Sequence, residues 1–357
     1  MDADKDTPSA VADRIFHAVL GAVDMLAIYL GDRLGWYRSL AADGPATAGQ
    51  LAERTATHPR YAREWLEQQA VTGLLTVHRD GTAEERVFAV SPATAEVLTD
   101  PHSLEYLAPI ARLFGAAGPA LPKLLEAYRT GGGVGWDELG DDARYGQADG
   151  NRPWYEHRLA AALAAVPEVD AVLRAPGARI LDIGCGAGWS TLALARAYPE
   201  ARVLGVDIDA PSIDAANRNA AVTGLGARTE FRVSDAAHLP EGDADIAFAF
   251  ECVHDMPRPV EVLAAVRRAL TPGGSLVVMD EAVADEFAPD GGDLERLMYG
   301  FSLFVCLPDG MSSPPSVGTG TVMRPSTLRR YARDAGFTAV DVLPIQDFGF
   351  WRFYHLT

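Results

Sequence analysis

Three glycines at alternate positions, Gly184, Gly186 and Gly188, end an apolar run (Ile180, Leu181, Ile183), and a helical pattern begins at Ser190. Strand, glycine turn and helix in that order make a crevice for a nucleotide-like ligand at the carboxyl end of a strand. A dinucleotide fingerprint needs its third glycine where Trp189 stands, and a phosphate-gripping loop needs a lysine after the glycines; this turn has neither. What it has is acid. Asp182 lies just ahead of the turn. Asp207 closes the next apolar run, 19 residues after Gly188, where a carboxylate accepts hydrogen bonds from ribose hydroxyls. Asp235 closes the run after that, where it can accept from an exocyclic amine of adenine. Carboxylates at three successive strand ends, with no compensating cation, suit an adenosine that is cationic rather than phosphorylated.

These residues are positioned by an alternation of strand and helix. Strands are expected at Arg179–Ile183, Arg202–Val206, Glu230–Val233, Ile246–Phe250 and Ser275–Met279, with helices at Trp189–Ala197, Ile213–Val222 and Val260–Leu270. The resulting class is α/β, a parallel sheet with helices on both faces. Two further strands, near Ala339–Leu343 and Phe350–Tyr354, are too close in sequence to pair in parallel, so they pair antiparallel or lie apart.

Ahead of this alternation the pattern is different. Ile15, Val19, Ala22, Leu26 and Leu30 form one stripe of a helix over 11–30, with Phe16, Leu20 and Val23 beside it, an apolar face wide enough for a core helix or a dimer interface. Thr47-Ala-Gly-Gln50 is a capping box opening a helix to Arg54, and Thr57 can cap a second helix carrying Tyr61, Trp65 and Leu66. Leu74–Val77 and Val87–Val90 then read as a hairpin turning at Asp80-Gly81. Helix, turn, helix, hairpin is a winged-helix layout. Residues 1–100 hold nine Lys/Arg against fifteen Asp/Glu, which argues against DNA as the partner. Residues 101–130 read as helical, 131–152 as a long polar loop or lid, and Pro153 as the start of a helix to about Leu173. Trp154 and Tyr155 are read as covers of the crevice, with core anchoring as the alternative.

The 357-residue chain is long enough for two cores. A formal charge of −18 excludes general nucleic-acid binding and suits a neutral or cationic small molecule. Cys185, Cys252 and Cys306 form neither a zinc spacing nor a disulfide framework, which points to a reducing compartment. The acidic first dozen residues are no signal peptide, and Ile15–Leu30 is shorter than the ~20 residues of a membrane span. The expected location is the cytoplasm, with no membrane partner.

Asp182-Ile-Gly-Cys-Gly-Ala-Gly188, Val203-Leu-Gly-Val-Asp207, Ser234-Asp235-Ala236 and Leu270-Thr-Pro-Gly-Gly274 resemble the successive motifs of class I S-adenosylmethionine-dependent methyltransferases. The resemblance covers residues 175–357. With the amino-terminal part it resembles the small-molecule methyltransferases of natural-product metabolism whose winged-helix domain serves dimerisation and closes the substrate pocket. It implies a Rossmann-like seven-stranded sheet with an antiparallel last strand, a winged-helix dimerisation domain over 1–100, a helical linker and lid over 101–174, and a homodimer. By that resemblance the Gly184–Gly188 turn lies against the methionine and ribose parts of S-adenosyl-L-methionine, with Gly184, Gly186 and Asp182 at the turn. Asp207 takes the ribose hydroxyls, Ile208 packs on adenine, Asp235 and the Ala236 amide face its edge, and Glu251 joins the cofactor set.

The stretch Phe250-Glu-Cys-Val-His-Asp-Met256 matches the His-Asp pair that supplies the general base in plant-type O-methyltransferases. His254 is the expected base, since imidazole titrates near ~6.5. Asp280, after the fifth strand, is expected to orient it. No metal is implied. An insertion, Glu286–Met323, contains a stretch from Leu294 to Leu307 that is apolar nearly all round, read either as core or as a roof over an aromatic acceptor; Tyr299, Phe301 and Phe304 are its candidate pocket residues. The expected activity is methyl transfer to a small organic acceptor at oxygen, carbon or nitrogen. A cofactor-sensing DNA-binding regulator and a macromolecule methyltransferase are the alternatives. The acidic winged helix speaks against the first, and the want of a basic or aromatic nucleic-acid track speaks against the second.

Overall fold

In the computed structural model, which describes residues 7–357, the chain separates into two units, one ending at Gly115 and one running from Ala116 to Thr357. In the first unit Thr7 caps a helix over Pro8–Arg33, accepting from the Ala10 amide. Its apolar stripe is on the outside: Ile15, Phe16, Val19, Leu20, Val23, Leu26 and Leu30 are 46–61% exposed. At 26 residues this helix is long and apolar enough to cross a membrane by length and composition, longer than the Ile15–Leu30 segment considered above.

The expected capping box is present. Thr47 Oγ1 accepts from the Gln50 amide and Gln50 Oε1 from the Thr47 amide, opening the helix Ala48–Thr55. The next helix, Pro59–Val71, is capped by His58 rather than Thr57, because Pro59 fixes the first helical position and the His58 ring reaches the Arg60 amide. Thr57 instead accepts from the Trp36 indole. Strands β1 (Leu75–Arg79) and β2 (Val87–Val90) pair antiparallel as the wing. The two arginines of the would-be recognition helix are matched by carboxylates, Arg60 with Glu64 and Arg63 with Glu84.

Trp36, Tyr37, Leu51, Trp65, Leu66 and Phe88 form the core of this unit. Beside it Asp32, almost fully buried, accepts from Arg112 Nε at 2.7 Å and from Arg38 Nη1 at 2.9 Å, and Arg112 also donates to the Tyr106 hydroxyl.

The second unit is built on one sheet. Its strands are β3 (Arg179–Ile183), β4 (Arg202–Asp207), β5 (Thr229–Val233), β6 (Ala244–Phe250), β7 (Leu270–Glu281), β8 (Val340–Val342) and β9 (Trp351–Leu356). The order is β5-β4-β3-β6-β7-β9-β8, with β9 antiparallel to both neighbours and the rest of the first five parallel. Alternation sends Ile180, Val203, Phe248 and Met279 into the core on one face, and Leu181, Val206, Ala247 and Val278 into the core on the other.

The five strands expected from the alternation lie within β3 to β7, but two other expectations do not hold. The polar stretch read as a loop over 131–152 is mostly a helix, Trp136–Trp154, kinked where Gly140 takes φ +77°. The helix expected from Pro153 to Leu173 breaks into a π-turn, Tyr155–Leu159, and two short helices, Ala160–Ala164 and Pro167–Leu173, the last started by Pro167. A cavity of about 440 Å³ opens at the amino-terminal ends of β3–β5, lined by Arg179, Arg202, Leu204 and Leu239, at the opposite end of these strands from the glycine turn.

Replacing Asp32 by alanine leaves Arg112 buried without its carboxylate, and is expected to lower stability by about 3–5 kcal/mol. Urea unfolding followed by tryptophan fluorescence measures this, and a loss under about 1 kcal/mol would contradict the role given to the ion pair.

Candidate active site

All three glycines of the turn after β3 have positive φ, and each meets something different. A Cβ on Gly184 would stand 2.7 Å from the Cys252 side chain, and one on Gly188 would stand 2.7 Å from Phe231. Gly186 has open space on that side, and its amide donates to Asp207 Oδ2 at 2.8 Å. The turn is therefore packed behind and bare in front.

Asp182 is fully buried. Its Oδ2 accepts from Ser190 Oγ and Thr191 Oγ1, both at 2.6 Å, while Oδ1 has no partner. It ties the strand end to the first turn of the helix Trp189–Ala197. Burial pushes its carboxyl up to about 6 despite the two hydroxyls.

At the end of β4, Asp207 also accepts from the Asp209 amide at 2.9 Å, and burial raises its carboxyl above the usual range. Ile208, next to it, is 74% exposed, a bare apolar surface at the crevice mouth. Asp235 follows β5, where Oδ1 accepts from the Ala237 amide and Oδ2 lies 3.4 Å from His238 Nδ1; Ala236 opens the short 3₁₀ turn there.

Glu251 ends β6 in a strained, left-handed conformation, φ +50°, unusual for a residue with a side chain. Its amide is tied to the Met279 carbonyl at 2.8 Å. The carboxylate accepts from the Trp351 indole, from the Asn151 amide group and from Gln147 Nε2 at 3.3 Å. Burial lifts it to about 7 against those donors. Trp154 packs tilted against Phe348 and edge-on against Trp351, and Tyr155 packs on Phe250 inside the core. Tyr155 is thus a core anchor, the alternative left open for it above.

His254 lies in the 3₁₀ turn Val253–Asp255 and is 2% exposed. Nδ1 is 3.0 Å from Asp280 Oδ1 and 3.2 Å from Glu281 Oε2, and Nε2 is 3.2 Å from Asp255 Oδ1. Burial alone would lower the imidazole, but Asp280, Glu281 and Asp255 together raise it well above its usual range. Burial pushes the Asp280 carboxyl up, yet the His254 charge prevails and holds it low, whereas burial raises Glu281 well above the carboxylate range. Two carboxyls on one ring nitrogen divide in this way because both cannot carry charge at that distance.

The insertion is less enclosed than its composition suggests. Asp293–Phe301 is a helix, Ser302–Cys306 a π-turn and Leu307–Met311 a helical turn. Tyr299 and Leu303 are exposed, so the segment is not buried all round. The Tyr299 hydroxyl meets Arg324 Nη2, while Phe301 and Phe304 are partly buried. The residues of this segment at His254 are others. Cys306 groups with His254 and Asp255, and Asp309 faces Asp255, where burial together with that carboxyl lifts it to about 8. Neither stood out in sequence, since a lone cysteine and a Pro-Asp-Gly turn carry no motif. Glu281, the residue after Asp280, likewise carries no motif.

Residues 174–302 match the family model of a methyltransferase domain, and residues 22–100 that of the Rv2258c-like winged HTH domain. The O-methyltransferase cnsE of Penicillium expansum is 33% identical over 175 residues, 48% of this chain and 56% of that protein. The chain spans about half the length of the curated relatives it matches. The mitomycin 7-O-methyltransferase MmcR superposes with a TM-score of 0.74 at 22% identity over 98% of both chains. Human N-acetylserotonin methyltransferase, solved in complex with SAM, gives 0.69 at 17% identity over 100% of this chain and 99% of that one. These likenesses extend the shared fold over nearly the full length.

A carboxyl held above its unfolded value keeps its proton in the folded chain, so Glu251 takes stability away as pH rises from about 4.5 to about 7. Glu251→Gln removes that dependence. Relative to this variant, the wild type is expected to lose on the order of 3 kcal/mol between about pH 5 and about pH 8. Urea unfolding of both proteins at the two pH values measures it; a pH-independent difference contradicts it.

Proposed function

We propose that this protein is an S-adenosylmethionine-dependent methyltransferase acting on a small, aromatic organic acceptor of secondary metabolism, in the cytoplasm and as a homodimer. The observation that carries the reading is the set of carboxylates at successive strand ends around a bare glycine turn, with a buried His254 between Asp255 and Asp280 on the same edge.

The residues fit a cationic adenosyl ligand. Gly186 presents bare backbone, and Asp182 Oδ1 is a buried acceptor without a donor. The guanidinium groups of Arg144 and Arg258 at this edge are matched by carboxylates, Arg144 by Asp209 and Arg258 by Glu261 and Asp235, rather than set aside for phosphate. Asp207 would hold the ribose, Ile208 the adenine face, Asp235 and the Ala236 amide its edge, with Gly184, Gly186, Asp182 and Glu251 completing the site. When bound, the cofactor supplies a methyl group on a sulfonium, already a strong electrophile.

The chain's task is then to place the acceptor and remove its proton. Nδ1–H of His254 donates to Asp280, which fixes the ring, and Nε2 is the atom that takes the acceptor's proton once the imidazolium favoured by Asp280, Glu281 and Asp255 has given up its own. Asp255 beside Nε2 stabilises the imidazolium that results. Trp154, Phe301, Phe304 and Tyr299 supply aromatic surface for the acceptor. The methyl-receiving atom is one that loses a proton, whether oxygen, carbon or nitrogen.

His254→Ala is expected to lower methyl transfer at least about 100-fold, with S-adenosylmethionine affinity within about threefold of wild type. Asp207→Ala is expected to weaken S-adenosylmethionine by about tenfold or more through loss of charge-assisted hydrogen bonds. Calorimetry and transfer of labelled methyl to a panel of phenols, amines and carbon acids read both. Unchanged turnover in the first variant removes the base from the mechanism, and unchanged affinity in the second removes Asp207 from the site.

The exposed stripe of the helix Pro8–Arg33 supports the dimer, because a continuous apolar face of this length is unfavourable in water. Leu26→Glu is expected to give a monomer by light scattering where the wild type gives a dimer; a wild-type monomer would overturn this part of the reading.

A further inference from the structure

The helix Trp136–Trp154 does work that neither the fold nor the proposed chemistry requires of it. Arg144, Gln147 and Asn151 follow one another at helical spacing and form one stripe. Arg144 grips Asp209 with two hydrogen bonds, Nε to Oδ2 at 2.6 Å and Nη2 to Oδ1 at 3.0 Å, and is itself buried. Asp209 in turn caps the next helix through Ser212, and its amide holds Asp207 at 2.9 Å. One turn further along, Gln147 and Asn151 both donate to Glu251. A single stripe therefore fastens the loop after β4 and the loop after β6, which stand on either side of β3 and its glycine turn. At its amino-terminal end the same helix is anchored by the Trp136 amide to Asp309 at 3.1 Å.

Leu139 and Ala143 are buried ahead of the stripe, the attachments from Arg144 onward to the two loops are polar, and the ends are jointed. Gly140 breaks the helix with φ +77°, and a π-turn begins at Tyr155. Three glycines, Gly131 to Gly133, precede it. A segment joined to the two loops by a few hydrogen-bonded pairs, with a glycine joint at one end and an irregular turn at the other, can detach from them without unfolding the sheet beneath it.

We propose that this helix is a retaining strap across the cofactor crevice, and that Arg144, Gln147 and Asn151 are positioning residues that set how fast the adenosyl ligand leaves. The proposal rests on the reading of the crevice as an S-adenosylmethionine site. Arg144 acts through Asp209 on Asp207, and the amide pair acts on Glu251. The ligand departs when both ties part, so loss of either tie speeds release more than it slows entry.

The probe is S-adenosylhomocysteine bound to the full chain, with dissociation followed by stopped-flow tryptophan fluorescence after rapid dilution. Arg144→Gln and the double variant Gln147→Ala/Asn151→Ala are each expected to raise the dissociation rate about tenfold or more while the association rate stays within about threefold. Arg144→Lys keeps the charge without the fork and is expected to fall between them and wild type, and it serves where the Gln variant folds poorly. Val266→Ala, in the core on the other face of the sheet, lowers melting temperature without touching the strap and is expected to leave the rate unchanged. In wild type, amide hydrogen exchange over 141–152 is expected to slow on ligand binding. Dissociation within about twofold of wild type in both strap variants, or exchange over 141–152 indifferent to the ligand, would overturn the strap while leaving the site reading intact. Failure of the wild type to bind S-adenosylhomocysteine would overturn the site reading and the strap with it.

Discussion

Buried carboxylates at the carboxyl edge of the sheet must find partners or keep their protons, and this constraint orders most of what surrounds them. Asp182 takes two hydroxyls, Asp207 two backbone amides, Glu251 three neutral nitrogen donors, and Asp280 the imidazole of His254. None of these partners except His254 brings a positive charge. An edge satisfied by neutral donors remains attractive to a cation, while an edge filled with arginine would not be. Of the guanidinium groups that approach, Arg144 is turned to Asp209, one step back from the crevice, while Arg258 pairs with Glu261 and also lies 3.8 Å from Asp235 Oδ2.

The sheet exists to bring these groups to one line. Parallel β3, β4, β5 and β6 all end on the same edge, so strand ends 24 to 67 residues apart in sequence become neighbours there. The antiparallel β9 adds something a parallel strand could not. Running the other way, it starts at that edge, and its first residue, Trp351, delivers an indole N–H to Glu251. Register makes the same point on β7, where Asp280 and Glu281 are the last two residues of the strand. Beyond the pleat's alternation they both reach Nδ1 of one histidine.

What was legible in the sequence is what local chemistry dictates. Glycines with left-handed torsions, aspartates that terminate apolar runs and a capping box are each decided by a few neighbouring residues, and Gly184, Asp207 and Thr47 stand where their types require. The strap was illegible for the opposite reason. Its sequence, with Gly140, Gly146 and Gly150 among acids and amides, has poor helical propensity and no apolar periodicity. It is a helix because Arg144, Gln147 and Asn151 have partners 65 to 104 residues away. Composition misled at the insertion too, since apolar residues between Leu294 and Leu307 include the exposed Leu303, and the group that reaches His254 comes from Cys306.

The strain at Glu251 follows from these contacts. A non-glycine residue with φ +50° costs on the order of 1–2 kcal/mol, and a relaxed backbone there would swing the carboxylate away from Trp351, Asn151 and Gln147. Three hydrogen bonds to one buried carboxyl exceed that cost, and so hold the conformation. The same conformation lets the chain turn sharply enough after β6 for Cys252 to back Gly184 and for His254, three residues on, to reach Asp280. The position of the base and the seating of the strap are thus set by one residue, because Glu251 belongs to both networks.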